Sequence, residues 1–137
     1  MGAEFTFYDY IDADGSGANV IKAWLDSRGK SAKAHFAMII PHLEASPPQG
    51  KHDSVWRFPN IKQMKDDWDG FTEFRKEARK VQYRLLGWMQ GRDVLLVACG
   101  IHKGQHYDTD VTSGIARNRV AQMISNPAKY RREHEYN

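Results

Sequence analysis

Two stretches of the chain, Val81 to Met89 and Asp93 to Ile101, are rich in apolar and β-prone residues and are separated only by a short link around Gln90-Gly91. Runs joined so tightly bury their apolar side chains most directly by pairing as an antiparallel hairpin. The segment from Phe71 to Arg75 or beyond predicts another strand just upstream, so the C-terminal half should be an antiparallel meander. Side chains two apart on a strand share a face. Gln82, Arg84, Leu86 and Trp88 therefore point one way, and Val81, Tyr83, Leu85 and Gly87 the other. Phe71, Glu73 and Arg75 are likewise grouped on the preceding strand.

Upstream, residues 4–11 (EFTFYDYI) combine aromatic and β-branched types and run into DADGSG, which is turn chemistry, so one strand with a clear stop is expected. Asn19 is a plausible N-cap for a helix whose apolar face is Val20, Ile21, Trp24 and Leu25, with Gly29 as its stop. A second helix, capped by Ser31, follows from Phe36, Ile39, Ile40 and Leu43, and the two helices should form an antiparallel pair. Residues 45–60 hold three of the five prolines and read as a long irregular loop. IKQMKDDWDG reads as a short extended piece leading to a turn at Asp69-Gly70. Beyond the polar stretch HKGQHYDTD, a last helix is expected to start near Asp108 to Asp110, with Ile115, Ala116, Val120, Met123 and Ile124 as its apolar face. Asn126-Pro127 should end it, leaving 127–137 as a flexible tail. The expected class is α+β in the order β-α-α-β-β-β-α, with a mainly antiparallel sheet packed against helices in a single domain over 1–137.

The 137 residues suit one domain. With 20 Lys and Arg against 17 Asp and Glu, the net charge of +3 is too small to make the whole molecule a polycation. Clustering is the informative part: Arg75, Lys76, Arg79, Lys80 and Arg84 stand against Glu77 alone between residues 75 and 84, a pattern that suits a polyanionic partner. The lone Cys99 excludes an intramolecular disulfide and fits a reducing, cytoplasmic setting. No run approaches the ~18 apolar residues of a membrane span, and no secretory leader is evident. A loose myristoylation match at Gly2 and Thr6 is outweighed by Phe5, Phe7 and Tyr8, which read as strand, so no membrane partner is expected.

Metal-free cleavage of RNA needs a base for the 2′-hydroxyl proton, cations for the crowded phosphorane and an acid for the leaving oxygen. His102, Lys103, His106 and Tyr107, just after the last strand of the meander, supply those residue types. Arg75 and Arg84 are placed to hold phosphate through their planar forks if their strands are neighbours, with Lys76 and Arg79 adding charge. The plainer alternative makes the cations a solvated strand edge that resists aggregation, and His106 a surface residue. Arg84 is the exception, because a charge between apolar residues needs a partner such as Glu73 or a ligand phosphate. Metal binding is a poor fit: His102 and His106 have no Cys or carboxylate set to complete a site, and no cofactor is expected. Trp24 and Trp56 read as packing residues; Trp88, on the Arg84 face, fits packing or base stacking.

Residues 68–105, WDGFTEFRKEARKVQYRLLGWMQGRDVLLVACGIHKGQ, resemble the RelE/ParE superfamily of type II toxins, in particular its phage-derived, HigB-like branch. The resemblance lies in the order of a Gly-aromatic-x-Glu-aromatic-Arg strand, a Tyr-Arg strand, a short turn, an apolar strand and a Gly-x-x-Lys exit, with a helix at Ile115 to Arg119 following. It implies a ribosome-associated mRNA endonuclease restrained by a cognate antitoxin. It also implies structural or phosphate-binding roles for Glu73 and Arg75, a phosphate-binding role for Arg84 and the basic exit position for Lys103. Family members commonly carry a Lys-Lys pair and a Pro in the exit loop. Here Gly104 follows Lys103 and QHYDTDVTS lacks the Pro, so the histidines and Tyr107 would have to supply that chemistry. A non-catalytic phage or prophage binding protein of the same fold, or a gyrase-directed toxin, are the alternative expectations.

Overall fold

The computed structural model describes residues 5–28, 30–45, 61–103 and 106–135. In chain order the elements are β1 (Thr6–Tyr10), α1 (Val20–Ser27), α2 (Lys30–Ala45), β2 (Ile61–Gln63), β3 (Phe71–Ala78), β4 (Val81–Gln90), β5 (Asp93–Lys103), β6 (His106–Tyr107), α3 (Ser113–Ser125), α4 (Pro127–Tyr130) and β7 (Arg131–Glu133). The expected α+β class and antiparallel meander are both present. The sheet runs β2-β3-β4-β5-β1-β7, with β6 paired to β5 beside that path. Every pairing is antiparallel except β1 with β5.

The sheet is buried on both faces by apolar side chains that alternate along its strands. On one face Phe7, Phe74, Leu85, Val94 and Leu96 pack with Ile21 and Leu25 of α1 and Phe36, Ile40 and Leu43 of α2. On the other, Phe71, Leu95 and Val97 pack with Ala116, Val120 and Met123 of α3. Strict alternation would put Cys99 on the α3 side with Leu95 and Val97, but it packs against the α1/α2 core. The cause is a bulge: Leu86 pairs with Ala98 and Gly87 with Leu96, which leaves Val97 as an extra residue that inverts the alternation beyond it. Arg119 of α3 donates to the Val97 carbonyl at 2.8 Å, satisfying a group near the irregular step.

Asn19 caps α1 as the sequence indicates, its side chain accepting from the Lys22 amide at 2.9 Å. At the Asp69-Gly70 turn, Gly70 has φ of 92°, and a Cβ there would lie 2.7 Å from the Trp88 indole, so both backbone and packing require glycine.

Four expectations need correction. Ser31, expected to cap the second helix, lies within α2, which already includes Lys30. α3 starts at Ser113, with Thr112 as its cap, rather than near Asp108 to Asp110. Asp108 is instead tied back to β5, where its carboxylate accepts from the Ile101 amide at 2.6 Å and its own amide donates to the Ile101 carbonyl at 2.9 Å. That geometry extends 106–108 along the sheet and delays the helix. The segment from 127, expected to be a flexible tail, forms α4 and then β7, which pairs with β1. Its anchor is a buried contact of 2.7 Å between His134 Nδ1 and Asp9 Oδ1, two polar groups that sequence periodicity does not connect. Ile115 and Ile124, expected on the buried face of α3, are exposed. Gly29, residues 46–60 and residues 136–137 lie outside the described residues, and with them the helix stop, nearly all of the proline-rich loop and Trp56.

Candidate active site

β3 and β4 pair so that Arg75 stands directly opposite Arg84. Both cations share the α3-side face with Glu73, because each is an even number of residues from Phe71 or Trp88 on its own strand. Two guanidiniums that close would repel, and Glu73 holds them together. Its Oε1 lies 3.0 Å from Arg75 Nε and 3.3 Å from Arg84 Nε. The buried partner that Arg84 requires is therefore Glu73, and the side chains of Arg84 and Glu73 are only 3% and 5% exposed.

The remaining donors of Arg84 are directed inward. Nη1 donates to the Tyr83 carbonyl at 3.0 Å and Nη2 to Gln82 Oε1 at 2.9 Å. Burial, only partly offset by the Glu73 carboxylate, lowers the Arg84 pKa from its ordinary value. Arg75 has a more open position, and its side chain is 20% exposed at the edge of a cleft.

Two residues from the end of β5 and from β6 complete the cluster. His102 Nδ1 lies 3.2 Å from Gln82 Oε1, the same atom that accepts from Arg84, so Gln82 links the two. With Oε1 as acceptor, Nδ1 carries the proton and Nε2 the lone pair. Burial lowers the His102 pKa from 6.5, with Arg84 and Arg75 contributing in the same direction and Glu73 opposing them. The imidazole is therefore neutral near pH 7. Tyr107 pairs with His102 across β5 and β6, and their ring centroids are 5.3 Å apart. The Tyr107 hydroxyl donates to Glu73 Oε2, and burial together with that carboxylate raises its pKa far above the ordinary phenol value. Tyr107 thus serves to seat Glu73 and His102, and its proton is committed to the Glu73 carboxylate.

The cleft encloses about 760 Å³. Glu73, Arg75, His102 and Tyr107 line one part of it. Lys62, Met64, Lys65, Asp66, Asp67 and Trp68, from β2 and the turn after it, form one wall. The opposite wall is Thr109, Val111, Thr112 and Ser113, where the chain enters α3. α3 covers the Phe71 and Leu95 end of this sheet face, and the Arg75 end lies beside the cleft.

The basic run of the sequence does not act as one surface. Arg75 and Arg84 converge on Glu73, leaving a net charge of one from two cations and one anion. Lys76 alternates onto the opposite face with Phe74, near His35 of α2, whose pKa it helps to lower. Arg79 and Lys80 form the exposed tip of the β3–β4 hairpin. Trp88 packs edge to face on Phe71 at 5.1 Å, and Trp24 on Tyr83 at 6.1 Å, so both are packing residues. Lys103 pairs with His106 where β5 meets β6, while their side chains and residues 104–105 lie outside the described residues.

Gln82, Met64 and Trp68 are parts of the site that sequence reasoning missed. For Gln82 a signal existed, since it precedes Arg84 by two residues on the same face. Met64 and Trp68 reach the cleft through the β2–β3 connection, and no periodicity marks that path. Among the described residues, no three His, Cys, Asp or Glu side chains gather closely enough to hold a metal ion. Among them, too, no helix is long and apolar enough to cross a membrane. Burial pushes the thiol of Cys99, set against the α1/α2 core, up to about 12, which removes it as a nucleophile. The chain matches no protein-family model, no curated protein and no solved structure.

Proposed function

We propose that this protein is an RNA endonuclease of the RelE/HigB-like toxin type, acting on mRNA at the ribosome in the cytoplasm and restrained by a cognate antitoxin. The observation that carries the reading is the convergence of His102 and Tyr107 on the Arg75, Arg84 and Glu73 cluster at one cleft. A base has to reach the proton it removes, and a cation has to stand beside the phosphate. In this mechanism His102 Nε2 takes the 2′-hydroxyl proton and the 2′-oxygen attacks phosphorus. The bond from phosphorus to the 5′-oxygen breaks, giving a 2′,3′-cyclic phosphate and a 5′-hydroxyl. The leaving oxygen takes its proton from the imidazolium just formed. Arg75 offsets the charge on the phosphorane, and Arg84 acts through Glu73 and Gln82 as a positioning residue. The similarity of residues 68–105 to the family supplies the ribosome and the antitoxin in this reading.

A second reading is a binding protein of phage or prophage type that uses the same cleft without catalysis. One observation favours it: Glu73 neutralises part of the cationic charge, and Arg84 spends its donors inside the fold. The gyrase-directed alternative gains no comparable support. Cleavage of a translated mRNA by wild type, His102→Ala and Arg75→Ala separates the two readings. The nuclease reading expects cleavage by wild type and a loss on the order of 10²-fold or more in His102→Ala. Folded wild type that leaves RNA intact, with and without ribosomes, would establish the binding reading.

A further inference from the structure

The cleft is larger than a phosphate requires, and only part of its lining is cationic. At about 760 Å³ it lies in the range that encloses an organic ligand of several rings. Arg75 and Glu73 provide the ionic end, with the neutral His102 imidazole beside them. Met64, Trp68, Val111 and the ring of Tyr107 provide an apolar region beside it, and Lys65, Asp66 and Asp67 on the Trp68 wall add charged groups to the lining. The aromatic groups run in sequence, with Trp68 6.0 Å from Tyr107 and Tyr107 5.3 Å from His102 between centroids. Trp68 is only partly buried: its edge-to-face contacts with Phe71 and Tyr107 hold the indole in place, and the remainder lines the cleft. An indole held by packing and still partly exposed at a cleft is a pre-organised surface for another flat ring.

We propose that the apolar half of this cleft is a nucleobase pocket with Trp68 as its stacking platform, so that single-stranded RNA binds with a base beside Trp68 and Met64 and the adjoining phosphate at Arg75. This inference deepens the nuclease reading and rests on it for the choice of RNA. A phosphate recognised by Arg75 and a base recognised by Trp68 belong to one nucleotide unit, since Tyr107 touches both ends: its ring meets Trp68 and its hydroxyl reaches Glu73. A duplex keeps its bases stacked inside the helix and cannot present one to Trp68, which restricts the ligand to unpaired strands. Stacking is tolerant of base identity, so the pocket confers a requirement for a base more than a choice of sequence.

The test is equilibrium binding of ribonucleoside 3′-monophosphates, compared with ribose phosphate lacking a base, to wild type, Trp68→Leu and Trp68→Phe. Trp68→Leu keeps apolar bulk and removes the large aromatic face; Trp68→Phe retains a smaller one, and a thermal melt of each establishes that it is folded. In wild type the base should improve affinity by about tenfold or more. That gain should vanish in Trp68→Leu and persist in part in Trp68→Phe. Equal affinity for nucleotide and sugar phosphate in wild type overturns the pocket, as does a base effect that Trp68→Leu leaves intact. Cleavage assays keep the two ideas apart. Base-dependent binding without RNA cleavage retains the pocket and removes the nuclease, whereas cleavage with no base effect removes the pocket and retains the nuclease.

Discussion

Glu73 carries the site because one carboxylate answers two guanidiniums and a phenol. Replacing it as Glu73→Gln leaves Arg84 buried beside Arg75 without a counter-charge, and breaking a buried pair in this way costs about 3 kcal/mol or more. Arg84→Met should cost less, because Glu73 keeps Arg75 and Tyr107 and the replacement fills the space with apolar atoms. Urea denaturation of both variants checks the order, and a larger loss in Arg84→Met would refute it. The lowered His102 pKa has a consequence for pH. The folded protein resists protonating this imidazole, so the unfolded chain binds the proton more readily once pH falls through about 6.5. The stability tied to His102 is therefore present above that value and declines below it. If His102 is the base, the acid limb of the cleavage profile should also have an apparent pKa below 6.5, measurable by single-turnover rates across pH 4.5 to 8. A limb centred above 6.5 would assign the base elsewhere.

At the level of elements, the β3–β4 hairpin shows a conflict between local chemistry and tertiary demand. Ala78 pairs with Val81, so Arg79 and Lys80 form the two-residue turn, with φ of 51° and 67°. Left-handed backbone at both central positions is the type I′ geometry, which favours Asn-Gly and strains Arg-Lys. The double variant Arg79→Asn, Lys80→Gly should gain about 1 to 2 kcal/mol, read as a higher denaturation midpoint with an unchanged slope. A lower midpoint would show that the two cations contribute contacts that outweigh their strain. The position of this turn was illegible in the sequence for the same reason: neither Arg79 nor Lys80 signals a turn, and their positive charge invites a reading as ligand contacts. The cap of α3 was misplaced for a related reason. Asp108 and Asp110 carry the right chemistry for a helix start, but Asp108 spends it on the Ile101 amide.

For the whole molecule, sheet topology divides the charge. The five cations between residues 75 and 84 are clustered in sequence, yet pleating and the hairpin turn distribute them over two faces and a tip. A ligand in the cleft meets Arg75 and, on the wall, Lys62 and Lys65, which stand beside Asp66 and Asp67. Single-stranded RNA held through two or three phosphates should lose affinity with a log–log salt slope of about −1.5 to −2. Filter binding between low and moderate salt tests this, and a slope twice as steep would mean that Arg79, Lys80 or cations of the opposite face also engage the strand. Much of this architecture follows from the sequence alone. Alternation along 71–90 determines the β3–β4 pairing faces and which side chains share a face with Arg84, and helical spacing determines the faces that α1 and α2 bury, because both are local consequences of backbone geometry; the bulge at Val97, which inverts the faces beyond it, is not legible in that pattern. Tertiary structure decided what depends on partners distant in the chain. Glu73 became the counter-ion of both arginines, His102 and Tyr107 reached it through the β5–β6 pairing, and the C-terminal segment joined the sheet because His134 meets Asp9. Such contacts are set by register and by which buried charges must be matched, and neither has a period that a one-dimensional pattern can display.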